Sequence, residues 1–152
     1  MSSYNEQMQE LASRYQAETG EVMFRSAEVG AWAIANGYWL PTPDAILRQF
    51  SADFSRALRE EYIRDAQGRR VRSKHAIRED GVQGRLWADI HTAPREHMEV
   101  AFQQRRDQIV ADCFQLKTDV DSYNDNHNDG EPIQILLDFR TDVQEQQGLG
   151  SD

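Results

Sequence analysis

The stretch Arg64-Asp65-Ala66-Gln67-Gly68-Arg69-Arg70-Val71-Arg72-Ser73-Lys74-His75-Ala76-Ile77-Arg78 carries six cations against one carboxylate, 6 − 1 = +5, in a chain whose formal net charge is −9. Asp65 and Gly68 occupy the first and fourth positions of a type I turn, and beyond it the sequence switches to a period of two. Val71, Ser73, His75 and Ile77 point one way, and Arg70, Arg72 and Lys74 the other. The pattern predicts a short β-hairpin with a row of cations, and it makes the chain α+β and not all-helical.

Upstream, Tyr4, Met8, Leu11 and Tyr15 repeat at helical spacing, with Gly20 placed to end that helix. A second helix is expected after Ser26, from Ala27 to Asn36. It is apolar almost all round, which is the mark of a buried helix, and Asn36-Gly37 supplies its stop. Thr42-Pro43-Asp44 reads as an N-cap, a first-turn proline and a dipole-complementing acid. Leu47, Phe50, Phe54, Leu58 and Tyr62 then form one dry face. The other face offers Arg48, Ser51, Ser55, Arg56 and Arg59 among Asp44, Asp53, Glu60 and Glu61.

Downstream, Gly81 and Gly84 bracket a loop, and Leu86, Ala88 and Ile90 alternate with Trp87, Asp89 and His91 as a third strand. Thr92 and Pro94 open the longest helix, to about residue 121, with Met98, Phe102, Ile109, Cys113, Leu116 and Val120 at near-heptad spacing. Residues 122–131 read as a polar loop. Ile133, Ile135, Leu137 and Phe139 alternate as in a strand, although Pro132 is equally placed to open a helix, and a frayed tail is expected from Gln146.

The 152 residues are expected to form a single domain, with 4–91 as its first part, 92–121 as the long helix and 122–152 as an acidic segment. Residues 111–152 hold two cations against ten acids, 2 − 10 = −8, opposite in sign to the hairpin. Cys113 is the only cysteine, which excludes an intrachain disulfide and a multi-cysteine metal site and fits a reducing compartment. Neither a secretory pattern nor an apolar run long enough to span a bilayer occurs, so a cytoplasmic protein without a membrane partner is expected.

Catalytic signatures are missing. Asp125-x-His127-x-Asp129-Gly130 starts like a calcium loop, but position three is His127 and position twelve is Leu136, where a bidentate Glu is required. The four histidines lack metal spacing, and no nucleophile elbow, phosphate-cradling glycine loop or dinucleotide fingerprint occurs. A non-enzyme with no metal and no cofactor is expected. Trp32 belongs to the apolar helix, Trp39 braces the following turn, and Trp87 is either packed under the long helix or a stacking platform.

Over residues 4–91, the order of helix, apolar helix, tight turn, helix with a polar face and basic hairpin resembles a winged helix-turn-helix. That resemblance implies double-stranded DNA as partner and an accessory or regulatory role. The helix from Pro43 would enter the major groove with Arg48, Gln49, Ser51 and Arg56 as contacts, and Arg69, Arg70, Arg72 and Lys74 would clamp phosphates. Two other readings stay open. The basic row could guard a sheet edge. Alternatively, the chain is a protein–protein interaction module, a homodimer or a binder of a helical partner, joined through the long helix at Met98, Phe102, Ile109 and Leu116.

Overall fold

The computed structural model describes residues 3–149. The fold is α+β, with five helices and two small antiparallel sheets among the described residues. It divides into two compact units, Met1–Asp53 and Phe54–Asp152, and the division falls inside the third helix.

In the first unit, α1 (Tyr4–Thr19) opens on a capping box. Ser3 Oγ accepts from the Glu6 amide at 3.1 Å, and Glu6 Oε2 accepts from the Ser3 amide at 3.0 Å, which satisfies two otherwise orphaned donors. Gly20 ends the helix in the left-handed region at φ 73°, its amide donating to the Gln16 carbonyl. Helix α2 (Ser26–Ala35) packs on α1 through aromatic edges, with Tyr15 meeting Trp32 at 5.3 Å and Trp32 meeting Tyr38 at 5.2 Å. Trp39 Nε1 donates to Tyr4 Oη at 3.3 Å, so this tryptophan ties the turn after α2 back to α1.

The expectation of a buried α2 is corrected. Ala33 is its buried residue, whereas Ala31, Ile34 and Ala35 face solvent. Apolar composition raised the demand for cover, but no second layer folds over that side of the unit.

Helix α3 (Pro43–Arg59) begins as its sequence dictates, with Thr42 Oγ1 accepting from the Ala45 amide at 3.0 Å. Its buried residue is Ala45, while the large side chains of Leu47, Phe50 and Phe54 stay exposed.

In the second unit, β1 (Tyr62–Arg64) and β2 (Arg70–Arg72) form the expected hairpin, pairing Tyr62 with Arg72 and Arg64 with Arg70. The Gly68 amide donates to the Asp65 carbonyl at 3.0 Å, and Gly68 sits at φ 81°, where a side chain would be strained. The chain continues into β3 (Lys74–Ile77), which pairs with β4 (Leu86–Asp89). Ser73 is the pivot. Its amide donates to the Glu61 carbonyl and its own carbonyl accepts from the Ile90 amide, so the strand changes partners without leaving a backbone group unpaired.

Helix α4 (Arg95–Asn126) packs on β3, burying His97 and Ala101. The His97 ring Nε2 hydrogen-bonds the His75 carbonyl at 2.8 Å, and His75 meets Phe102 edge-on at 5.5 Å. At 1.5 Å per residue the 32 residues extend about 48 Å. The helix runs five residues past its expected end near residue 121, into the expected polar loop. Within that polar sequence Asn126 Nδ2 donates to the Ser122 carbonyl at 2.9 Å, one turn back, so the last turn is tied by its own side chain. The reversal is built by asparagine amides. Asn124 Nδ2 donates to the Ile133 carbonyl at 2.8 Å and its Oδ1 accepts from the Ile133 amide at 2.9 Å.

Residues 133–139 form no strand, because no described strand edge pairs with them, and α5 (Arg140–Leu149) occupies most of the expected tail. Among the described residues the buried apolar side chains are Ala33, Ala45 and Ala101, and no large side chain is fully enclosed. The sequence had apolar material for a larger core, and much of it lies on helix faces that no other element covers.

Candidate nucleic-acid interface

Most cations of the hairpin region are engaged locally. Arg69 Nε donates to Asp65 Oδ2 at 2.7 Å, and the Arg69 amide, with this pair, holds the Asp65 carboxyl below its usual range. Arg70 stacks its guanidinium 3.8 Å from the centre of the Tyr62 ring. Lys74 Nζ reaches Glu61 Oε1 at 3.1 Å and Asp89 Oδ2 at 3.4 Å. Glu61, chiefly, raises the Lys74 pKa, while the lysine lowers that of Glu61. The His91 amide, followed by Lys74, does the same for Asp89. Lys74 therefore straps the segment before β1 to β4.

Arg72 is different. It lines a cleft of about 270 Å3 between the β3–β4 sheet and α4, together with Arg59, Arg78, Arg85 and Arg105. They come from five places in the chain: the last turn of α3, the end of β2, the residue after β3, the residue before β4, and the first third of α4. Gln104 fixes one wall, since its Oε1 accepts from the Arg78 amide at 2.8 Å and its Nε2 donates to the Arg78 carbonyl at 2.9 Å. Ala76, Trp87 and Ala101 supply apolar lining.

No carboxylate lines this cleft, and none of the five arginines makes an ion pair among the described residues. Burial, and then the positive field of Arg59 and Arg78, lowers the pKa of Arg85, and burial followed by Arg72 does the same for Arg105. Both stay charged, because a guanidinium does not deprotonate at physiological pH. Clustered like charges cost free energy that an anion recovers on binding, and planar guanidinium forks match the oxygens of a phosphate.

The remaining residues implied by the winged-helix resemblance lie on α3. Arg48 stacks its guanidinium over the Tyr4 ring at 4.0 Å, and Gln49 donates to Asp53 Oδ1 at 3.0 Å. Ser51 and Arg56 are exposed. Of the four hairpin cations, Arg72 and Lys74 reach the cleft, and Arg69 and Arg70 do not line it. Sequence reading did not single out Arg78, Arg85 and Arg105 as site residues, for they belong to no shared motif and meet only in the folded unit. Comparison with family models, curated proteins and solved structures finds no match to this chain.

Proposed function

We propose that the protein binds DNA in an accessory or regulatory role, holding the phosphate backbone in the arginine cleft of the second unit. The observation that carries this reading is the set of five arginines that, among the described residues, make no ion pair and line one cleft without a carboxylate, in a chain of net charge −9. Such a concentration of positive charge against the overall balance is the electrostatic footprint of a polyanion site. The order of three helices followed by a hairpin supports the same reading, and Trp87 gives the cleft an aromatic surface beside its cations. In this proposal Arg72 is the hairpin's main phosphate contact. Arg56 of α3, in the same unit, serves as a further contact.

Fluorescence anisotropy with a labelled duplex tests it. Arg85→Glu with Arg105→Glu should abolish binding at moderate salt, while Arg69→Ala should leave it nearly unchanged. Equal affinity of the wild type and the charge-reversed variant would dismiss the cleft.

A further inference from the structure

Apart from Arg106, the a and d positions of α4 carry apolar side chains over three heptads. Phe102, Ile109, Leu116 and Tyr123 follow one another at intervals of seven, with Arg106, Cys113 and Val120 between them. That period belongs to a helix packed along a second helix, not to one lying on a sheet. The sheet mainly uses another side of α4, through His97, Ala101 and Gln104, and reaches the stripe only at its first member, where His75 meets Phe102 edge-on. Beyond that contact the stripe stays substantially exposed, with Phe102 50%, Ile109 51%, Leu116 41% and Tyr123 47% exposed, while Cys113 and Val120 are half-buried. A helix that continues so far past its sheet is marginal in water without tertiary cover.

Charge selects the occupant and its direction. Residues 107–126 hold Lys117 against Asp107, Asp112, Asp119, Asp121 and Asp125, or 1 − 5 = −4. Arg106 lies in the seam and makes no ion pair among the described residues. Asp112 and Asp119 are met by the amides of Gln108 and Gln115, not by cations. Parallel pairing of two copies would set Arg106 against Arg106. Antiparallel pairing with Phe102 facing Val120 sets Arg106 against Leu116 of the second copy, whose helical neighbours at −4 and +3 are Asp112 and Asp119.

We propose that α4 pairs antiparallel with α4 of a second copy of this chain, closing the Phe102, Ile109, Leu116 and Tyr123 stripe and bringing Arg106 between Asp112 and Asp119 of that copy. The pairing carries the two arginine clefts to opposite ends of the joined helices. It does not depend on DNA binding, and it is measured without DNA.

Sedimentation equilibrium of the full chain should show a dimer, and Ile109→Asp with Leu116→Asp should raise its dissociation constant by about a hundredfold or more. A wild-type monomer at about 100 µM chain, far above a micromolar dissociation constant, overturns the proposal. So does a double variant that dimerises as tightly as the wild type. Because that variant could lose helix along with the contact, direction is tested on folded protein lacking the native thiol. In a Cys113→Ser background, mixing Phe102→Cys and Val120→Cys chains should give an oxidised cross-linked pair that neither chain forms alone. Cross-linking of each chain with itself, or none in the mixture, overturns the antiparallel arrangement.

Discussion

The hairpin and the cleft lie a few residues apart and are built from the same kind of side chain, yet their charges do different work. On the hairpin, Arg69 has Asp65 four residues away, Arg70 has Tyr62 on the neighbouring strand, and Lys74 has Glu61 and Asp89. Those cations complete the local structure. In the cleft, Arg59, Arg72, Arg78, Arg85 and Arg105 face one another with no carboxylate between them. A count of positive residues along the sequence weights the two regions alike. Only the positions of the acids tell a cation that holds the fold from one left for a ligand.

The largest expected effect sharpens this contrast. Replacing Arg72, Arg85 and Arg105 together by alanine removes three of the proposed phosphate contacts and should weaken duplex binding by about a hundredfold at low salt. Arg69→Ala with Arg70→Ala removes as much charge per residue but only exposed, internally satisfied pairs, and should shift binding by less than about threefold. Anisotropy titrations of the two variants side by side measure the difference.

Gln104→Ala comes next. It deletes both hydrogen bonds that hold the Arg78 backbone against α4, and should cost about 1–2 kcal/mol in a denaturant melt while loosening that wall of the cleft. Binding should weaken several-fold without any change in charge.

A pH titration separates the sheet from the cleft. Burial lowers the His75 pKa, with smaller contributions from Arg105, Arg72 and His97, while its ring bonds the Arg72 carbonyl at 2.9 Å. The folded state therefore favours neutral imidazole, so this stabilisation is full above the ordinary value of about 6.5 and is lost as the pH falls below it toward the lowered folded value. Glu61 and Asp89, both lowered, add a second loss only in the more acidic carboxylate range. Thermal melts from pH 7.5 to 5 should show the first decline, and His75→Gln should remove it. The smallest effect is at the other unit: Thr42→Ala should cost about 1 kcal/mol through the lost N-cap of α3, with no change in the salt dependence of DNA binding.

Much of the fold was legible because its signals are local. Thr42-Pro43 starts α3, Gly20 ends α1, and Asp65 to Gly68 makes the turn, each through contacts within about four residues. Burial was less legible. The apolar circumference of α2 and the stripe of Leu47 and Phe50 on α3 announce surfaces that want cover, but the sequence does not say how much of it this chain supplies, and Ile34, Leu47 and Phe50 stay largely exposed. The end of α4 was misplaced because a polar stretch reads as a loop unless side-chain bonds within it, such as Asn126 to the Ser122 carbonyl, are seen. The cleft was half hidden for the same reason. Arg72 stood out in an alternating strand, whereas Arg85 and Arg105 are single cations whose meeting depends on α4 crossing the sheet.

The most direct measurement is the slope of log affinity for a duplex against log salt concentration, for the wild type and for the Arg72, Arg85 and Arg105 triple-alanine variant. The account predicts a wild-type slope of about −3 to −5 that flattens by about three in the variant. Equal slopes for the two proteins would mean that those guanidinium groups neutralise no phosphate, and the cleft would lose its role.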